Sequence, residues 1–538
     1  MVSPPIFYAT SNGNETIVKY LVENGADINK QLNNGETPLF YACLKEYEEV
    51  VKYLVEHGAK TNIKNNKGKT PLFKACCSRN KNIIKCLVEH GSDVNVRDNN
   101  GYTPLLVCSK TKEYENIVQY LVENGAKVNI SNKDGYTPLF EACLKGNMKL
   151  VKFLIEHGAN VNKQDNDGIT PLFDACDNGY ENIVKLLVEH GANVNKENKI
   201  GETALFEAYR NGNKTIIKYL AEHGANINKI NLSGYNLLSL ACYNGDMAMV
   251  KCFIELGADV NEEIKGFNIG KTPLYIACDK IYENIVKYLV DHGADLNKRY
   301  VNGETLLFKV CDENYEMMLK YLVEHGADVN KESNSGETPL FNACVKGYEH
   351  IVKYLVEQGA NINKQSNDGK TPLFIACDEG HETIVKYLVE HGADINKESN
   401  TGYTPFFNAC VKGSENIVKY LAEHGADIKK KNRYGQTLLS IAASNGPSTF
   451  NRSEREKYIV EIMNEIFQKE LISEIQNKTE LMGLRNILKE YKESGMHKSS
   501  MLKNLNRIRE NCDGSEEDIL LELINCVEGF CNPNMSIY

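Results

Sequence analysis

The chain repeats itself. A glycine-led motif returns at Gly35, Gly68, Gly101, Gly135, Gly168, Gly201, Gly234, Gly270, Gly303, Gly336, Gly369, Gly402 and Gly435, and ten of the twelve intervals are 33 residues. The other two are 34 (Gly101 to Gly135) and 36 (Gly234 to Gly270). A fixed period of this length means a stack of small units. Such a stack grows by adding neighbours, so the length of 538 residues does not imply several independent globular domains.

The unit from Gly336 explains itself locally. Thr338 is placed to cap a helix, and Pro339 follows at the first helical position, where its missing N–H costs nothing. Leu340, Ala343 and Cys344 fall on one face, and Gly347 ends this first helix. A second helix starts near Glu349, with Ile351, Val352, Leu355 and Val356 as its apolar face and Gly359 as its left-handed stop. The Asn- and Asp-rich stretch to Asp368 predicts an extended arm with a tight turn. Each helix is shorter than the roughly 12–15 residues at which isolated helices become marginal, so the unit holds only against a neighbour.

The opening T-P-L-x-x-A, the core I-V-x-x-L-V and the close G-A-D-x-N resemble the ankyrin repeat over about residues 1–446. The resemblance implies an all-α solenoid, with a helix–turn–helix and a hairpin-like loop per repeat, whose first helices and loops line a concave face. Repeat starts fall near 2, 35, 68, 101, 135, 168, 201, 234, 270, 303, 336, 369, 402 and 435. One departure is Phe where that family has His after T-P-L, at Phe40, Phe73, Phe140, Phe173, Phe341 and Phe374, and packing is expected to replace the polar tie.

Residues 447–538 are helical but not repeat-like, with helices expected near 454–475, 479–493, 499–511 and 515–529 and a capping box at Ser453. They are expected to form a cap or small bundle over the open end of the array. A docking module for a second protein is the other reading. The start, Pro4-Pro5-Ile6-Phe7, has no polar capping repeat before it, and a frayed first repeat is expected. Repeats seven and eight weaken: Thr203-Ala204 lacks the proline, and Asn236-Leu237 lacks both cap and proline. Repeat eight also carries three extra residues within 262–269, either a tolerated loop or a contact finger bearing Phe267. Residues 328–347 recur with few changes as 394–413, which reads as duplication of a repeat pair.

Ten cysteines hold one repeat position, among them Cys43, Cys176 and Cys344. Packed helices lie about 8–10 Å apart, too far for a disulfide or a shared zinc, so these are buried apolar side chains in a reducing compartment. A cytoplasmic location is expected, the nucleus being equally reducing. There is no charged-then-apolar leader and no apolar run of 18 residues, so no secretion signal and no membrane insertion are expected. The net charge of −10 argues against nucleic acid as a partner. No phosphate loop, dinucleotide fingerprint, H-E-x-x-H or nucleophile elbow occurs, so neither catalysis nor a cofactor or metal is expected. Nine of the twelve histidines, such as His57 and His391, stand just before the glycine after the second helix, where the helix dipole favours them. The Tyr stripe of the second helices is read as packing, and the Lys before each Tyr as a solvated face.

If constant positions are structure, specificity lies in the positions that vary. These are the residue after each opening glycine and one residue of each first helix, both expected to be at least partly exposed because lone charges are costly inside. The candidates for partner contact are Tyr102, Tyr136, Glu141, Asp174, Asp177, Glu207, Tyr235, Phe267, Lys271 and Tyr403. The function expected is a non-enzymatic scaffold that binds partner proteins on this face, as a monomer. An adaptor whose tail recruits a second complex, such as a ubiquitin ligase, is the alternative, and a plain spacer is the third reading.

Overall fold

The computed structural model describes residues 4–78, 80–265, 270–442, 452–512 and 514–529. Among them are thirty-one α-helices, two short 3-10 turns and no strand. The chain forms two compact units, Met1–His292 and Gly293–Tyr538.

The repeat from Gly336 carries helices Pro339–Lys346 and Glu349–Glu357. Gly347 (φ 75°) and Gly359 (φ 84°) stop them in the left-handed region, which glycine enters without a Cβ penalty. Leu340, Phe341, Ala343 and Cys344 of the first helix and Ile351, Val352 and Leu355 of the second are buried. Each large apolar side chain so buried contributes about 1.5–3 kcal/mol. First helices pack on first helices, with Pro339–Lys346 against Pro372–Glu379 and that against Pro405–Lys412. The phenylalanines at the position of the expected polar tie are buried, as packing requires. The cysteine column is buried too, and loss of solvation pushes its thiols up, Cys43 and Cys344 among them.

Two ladders join the repeats along their arms. In the first, a single asparagine clasps the next repeat with both ends of its amide. Asn330 donates from Nδ2 to the Gly359 carbonyl (2.9 Å) and accepts from the Asn361 N–H at Oδ1 (2.7 Å). Asn29, Asn62, Asn95, Asn129, Asn162, Asn195, Asn297, Asn363 and Asn396 donate to the next repeat in the same way. The second ladder is backbone. Each arm tip donates an N–H to the preceding tip, as from Asn367 to Ser335 (2.8 Å) and Asn400 to Asp368 (2.8 Å). The opening glycine makes that approach possible, because a Cβ on Gly369 would stand 2.7 Å from the Asn400 nitrogen.

Three local expectations change. Thr103, Thr272, Thr371 and Thr404 cap their helices at 3.2–3.3 Å, but Thr338 does not, and its hydroxyl is buried without a partner. At 3.2–3.3 Å the bond is at the edge of hydrogen-bonding range. Asn236 is a better cap than Thr, with a reciprocal box in which it accepts from the Ser239 N–H (2.8 Å) while Ser239 Oγ accepts from the Asn236 N–H (3.0 Å). The amide oxygen reaches one bond further than a hydroxyl, which is how a repeat without Thr-Pro still starts its helix. The helix expected to be capped by Ser453 begins at Arg452, so Ser453 lies inside it.

The irregular repeats absorb their extra residues in loops. In repeat four the first helix shortens to Pro104–Cys108, and a 3-10 turn, Lys112–Tyr114, follows. In repeat eight the backbone ladder shifts, with Lys265 donating to the Gly234 carbonyl (3.0 Å) and Ile264 buried below it. Phe267 lies outside the described residues.

Four helices follow the last repeat: Arg452–Gln476, Leu481–Glu493, Lys498–Arg509 and Ser515–Glu528. They pack on one another, and the first lies against Glu415–Glu423 and Leu438–Ala442 of the final repeats. The joint is specific. The clasping asparagine is replaced in the repeat from Gly402 by Lys429, whose ammonium pairs with Glu470 (2.9 Å) and Glu490 (2.8 Å) of the tail. Tyr458 donates its hydroxyl to the Glu415 carbonyl (2.7 Å), and Tyr491, fully buried, donates to Glu470 (2.7 Å) and meets Phe467 edge-on.

Candidate protein-binding face

The constant polar residues of the second helices are consumed in stacking. In nine repeats the histidine before the glycine places Nδ1 on the carbonyl four residues back, and in seven of them it lies against an aromatic ring there. His391 is 2.8 Å from the Tyr387 carbonyl, and the two rings are 3.9 Å apart. The Tyr387 carbonyl already accepts from the His391 backbone N–H (3.1 Å), so the ring adds a second donor at the helix C-terminus. The lysine expected to be merely solvated has two contacts. Lys353 pairs with Glu349 one turn back (2.5 Å), and its ammonium lies 5.7 Å from the centre of the next repeat's Tyr387 ring. Tyr387 in turn reaches the Lys353 carbonyl (3.5 Å).

The first helices differ, because their variable residues share no common partner. In the first unit the candidate residues form a connected run. The Lys110 ammonium sits 4.2 Å above the Tyr102 ring and 3.9 Å from Glu141. Tyr136 packs edge-on against Phe140, and burial, followed by the charges of Asp165 and Asp174, pushes its phenol up. Burial likewise pushes the Glu141 carboxyl up. Asp174 is pushed to about 8 by burial and then by the carboxylates of Asp165, Asp177, Glu141 and Glu207, and its Oδ2 has no hydrogen-bond partner. Asp177 is exposed beside it. Arg210 closes the run by pairing with Glu207 (2.8 Å) and Glu202. Further along, Tyr235 meets Tyr243 edge-on at 6.4 Å, and the Lys271 ammonium lies 4.8 Å from the Tyr275 ring. In the second unit, Tyr403 packs edge-on on Phe407 at 5.1 Å.

The variable positions are not uniformly exposed. Glu36, Glu141, Glu202, Ile276, Ile375, Asn408 and Ile441 are buried. The polar ones tolerate burial because each has a partner: Lys74 of the next repeat and Asn65 of its own arm for Glu36, Arg210 and Asn231 of the same repeat for Glu202, and Asp378 of the preceding repeat for Asn408. Spacing alone hid these partners, since all but Arg210 stand about a repeat's length away and each depends on which residues happen to be neighbours. Tyr243, which is exposed, was missed for a related reason, since it stands at a position that is polar or charged in most other repeats.

No described helix is long and apolar enough to cross a membrane. No curated protein matches the chain. Among solved structures, the ankyrin repeat domain of Bcl-3, a member of the IkappaB protein family, is 29% identical over 40% of this chain and 98% of that one, with a TM-score of 0.37. The human ASB11 ankyrin repeat domain is 27% identical over 41% of this chain and 99% of that one, with a TM-score of 0.36. The model of the family described as ankyrin repeats (3 copies) matches overlapping segments that run from residue 3 to residue 452. Repeats of this kind are generally protein–protein interaction modules and typically not enzymes. With matches that take in most of its length, this chain belongs to the ankyrin-repeat family.

Proposed function

We propose that the chain is a non-enzymatic scaffold that holds partner proteins on the first-helix face and arm tips of residues 1–446. One observation carries this reading. The constant side chains are spent on capping, clasping and stacking, while Tyr102, Tyr136, Asp177, Lys271 and Tyr403 leave accessible surface that differs from repeat to repeat. Rigid presentation lowers the ordering cost of binding. Sixteen free cysteines among the described residues, most of them buried, favour a reducing compartment such as the cytoplasm.

The tail, 447–538, is read as a cap. The exchange of the clasping asparagine for Lys429, turned to Glu470 and Glu490, supports it, because the repeat that follows, from Gly435, leaves the pattern before the Gly-Ala that such an asparagine clasps. No observation favours recruitment of a second complex by these helices. The test is affinity capture with the full chain, followed by mass spectrometry, run beside an inner-face variant (Tyr102→Ala, Asp177→Lys, Tyr403→Ala) and an outer-face variant (Lys353→Ala, Glu349→Ala). Stoichiometric partners lost only from the inner-face variant are expected. Partners retained by it, or lost equally from both, overturn the reading.

A further inference from the structure

Repeats eight and nine, from Gly234 and Gly270, carry a surface that stacking does not explain. Tyr243 is 47% exposed and Ile281 is 50% exposed, both on the first unit. Tyr235 and Tyr243 lean edge-on at 6.4 Å across the helix Leu237–Asn244. From the next repeat, the Lys280 ammonium reaches over the Tyr243 ring at 4.6 Å, and Lys271 lies over Tyr275 at 4.8 Å. The rings are therefore held in place by cations before any partner arrives.

Ile281 makes the patch a distinct one. It follows Lys280 and occupies the turn between the two helices with φ 60°. Gly212 and Gly245 hold the same turn in the two preceding repeats, at φ 73° and 72°. The left-handed region is unfavourable for any side chain and most of all for a β-branched one. Here it displays half of an apolar side chain to solvent. A strained residue that keeps an apolar group outside points to a contact.

We infer that this patch docks an acidic peptide segment of a partner protein, with an aliphatic or aromatic side chain of the segment seated on Tyr243 and Ile281 and a carboxylate paired to Lys280 or Lys271. The inference rests on the first-helix binding reading above and names the chemistry of one partner segment. Charge complementarity selects the sign. Both cations already lie on ring faces, where they are partly desolvated, and a carboxylate arriving beside the ring completes each pair. Asp279, the nearest carboxylate in sequence, is already engaged. Tyrosine is also the residue type enriched at binding hot spots.

The test uses the full chain and a display library of random 16-residue peptides. Enriched peptides are titrated on the unaltered chain, on Tyr243→Ala, on Lys280→Glu, on Ile281→Gly, on Asp177→Lys and on the outer-face variant Lys353→Ala, with the helical signal of each variant checked by circular dichroism. The expected result is a family of peptides pairing Asp or Glu with Leu or Phe. Their affinity falls at least tenfold on Tyr243→Ala and on Lys280→Glu, falls severalfold on Ile281→Gly although that chain melts higher, and does not change on the outer-face variant Lys353→Ala. Peptides that bind all the patch variants equally, or a patch-dependent family that is basic, overturn this inference. If such peptides instead lose affinity on Asp177→Lys, the scaffold reading stands without it. A library that yields no binder overturns both.

Discussion

Single residues here reveal a division between groups that serve the stack and groups that burden it. Asp174 is a burden. Its carboxyl titrates near 8 when folded against an ordinary 3.8, because burial and four neighbouring carboxylates disfavour its charge. A raised acid pKa means that the folded state holds its proton longer than the unfolded one. Its contribution therefore turns unfavourable as pH rises through about 4, worsens until about 8 and is constant beyond. Asp174→Asn is expected to raise the melting temperature of the chain at pH 8 and to flatten its change between pH 4 and 8. An unchanged melting profile would remove the burial argument. Ile281 is a second burden. With a left-handed backbone at φ 60°, Ile281→Gly is expected to stabilise the repeat by about 1 kcal/mol, read by chemical denaturation of the full chain. A loss of stability would mean that the side chain packs after all.

Elements are where most of the fold could be read ahead of the structure. The glycines, the Thr-Pro opening and the Ile-Val-x-x-Leu core placed both helices of the Gly336 repeat, because each signal acts within a turn of its own position. The tail helices were legible for the same reason. What was not legible is what crosses between repeats. The constant Asn of G-A-D-x-N looked like loop composition, yet Asn330 grips the backbone two turns of chain and one repeat away. Its two bonds sit on the exposed arm, so Asn330→Ala is expected to cost about 1–3 kcal/mol at that joint. Gly369→Ala should cost a similar 1–3 kcal/mol, since it adds a left-handed Cβ at φ 75° only 2.7 Å from the Asn400 nitrogen. Both are measured by urea denaturation, and a cost below about 0.5 kcal/mol would show the arms to be passive. The candidate face was half legible for a corresponding reason: variability marked the positions, but whether Glu141 or Asp177 stays exposed depends on the neighbour across the joint.

At the scale of the molecule, stability is a sum of repeats and joints, not the property of one core. Within the second unit, the last repeats are covered by the tail through Lys429, Tyr458 and Tyr491. Lys429→Ala leaves Glu470 without its cation and is expected to loosen the joint without unfolding the repeats before it. The constant residues are fasteners between nearest neighbours, and the variable face is what we propose remains for partners. Amide hydrogen exchange of the full chain with and without Asn330→Ala tests this most directly. Faster exchange is expected only in the repeats on either side of that joint, 303–335 and 336–368, with the first unit and the tail helices unchanged. Exchange that accelerates evenly along the whole chain would contradict it.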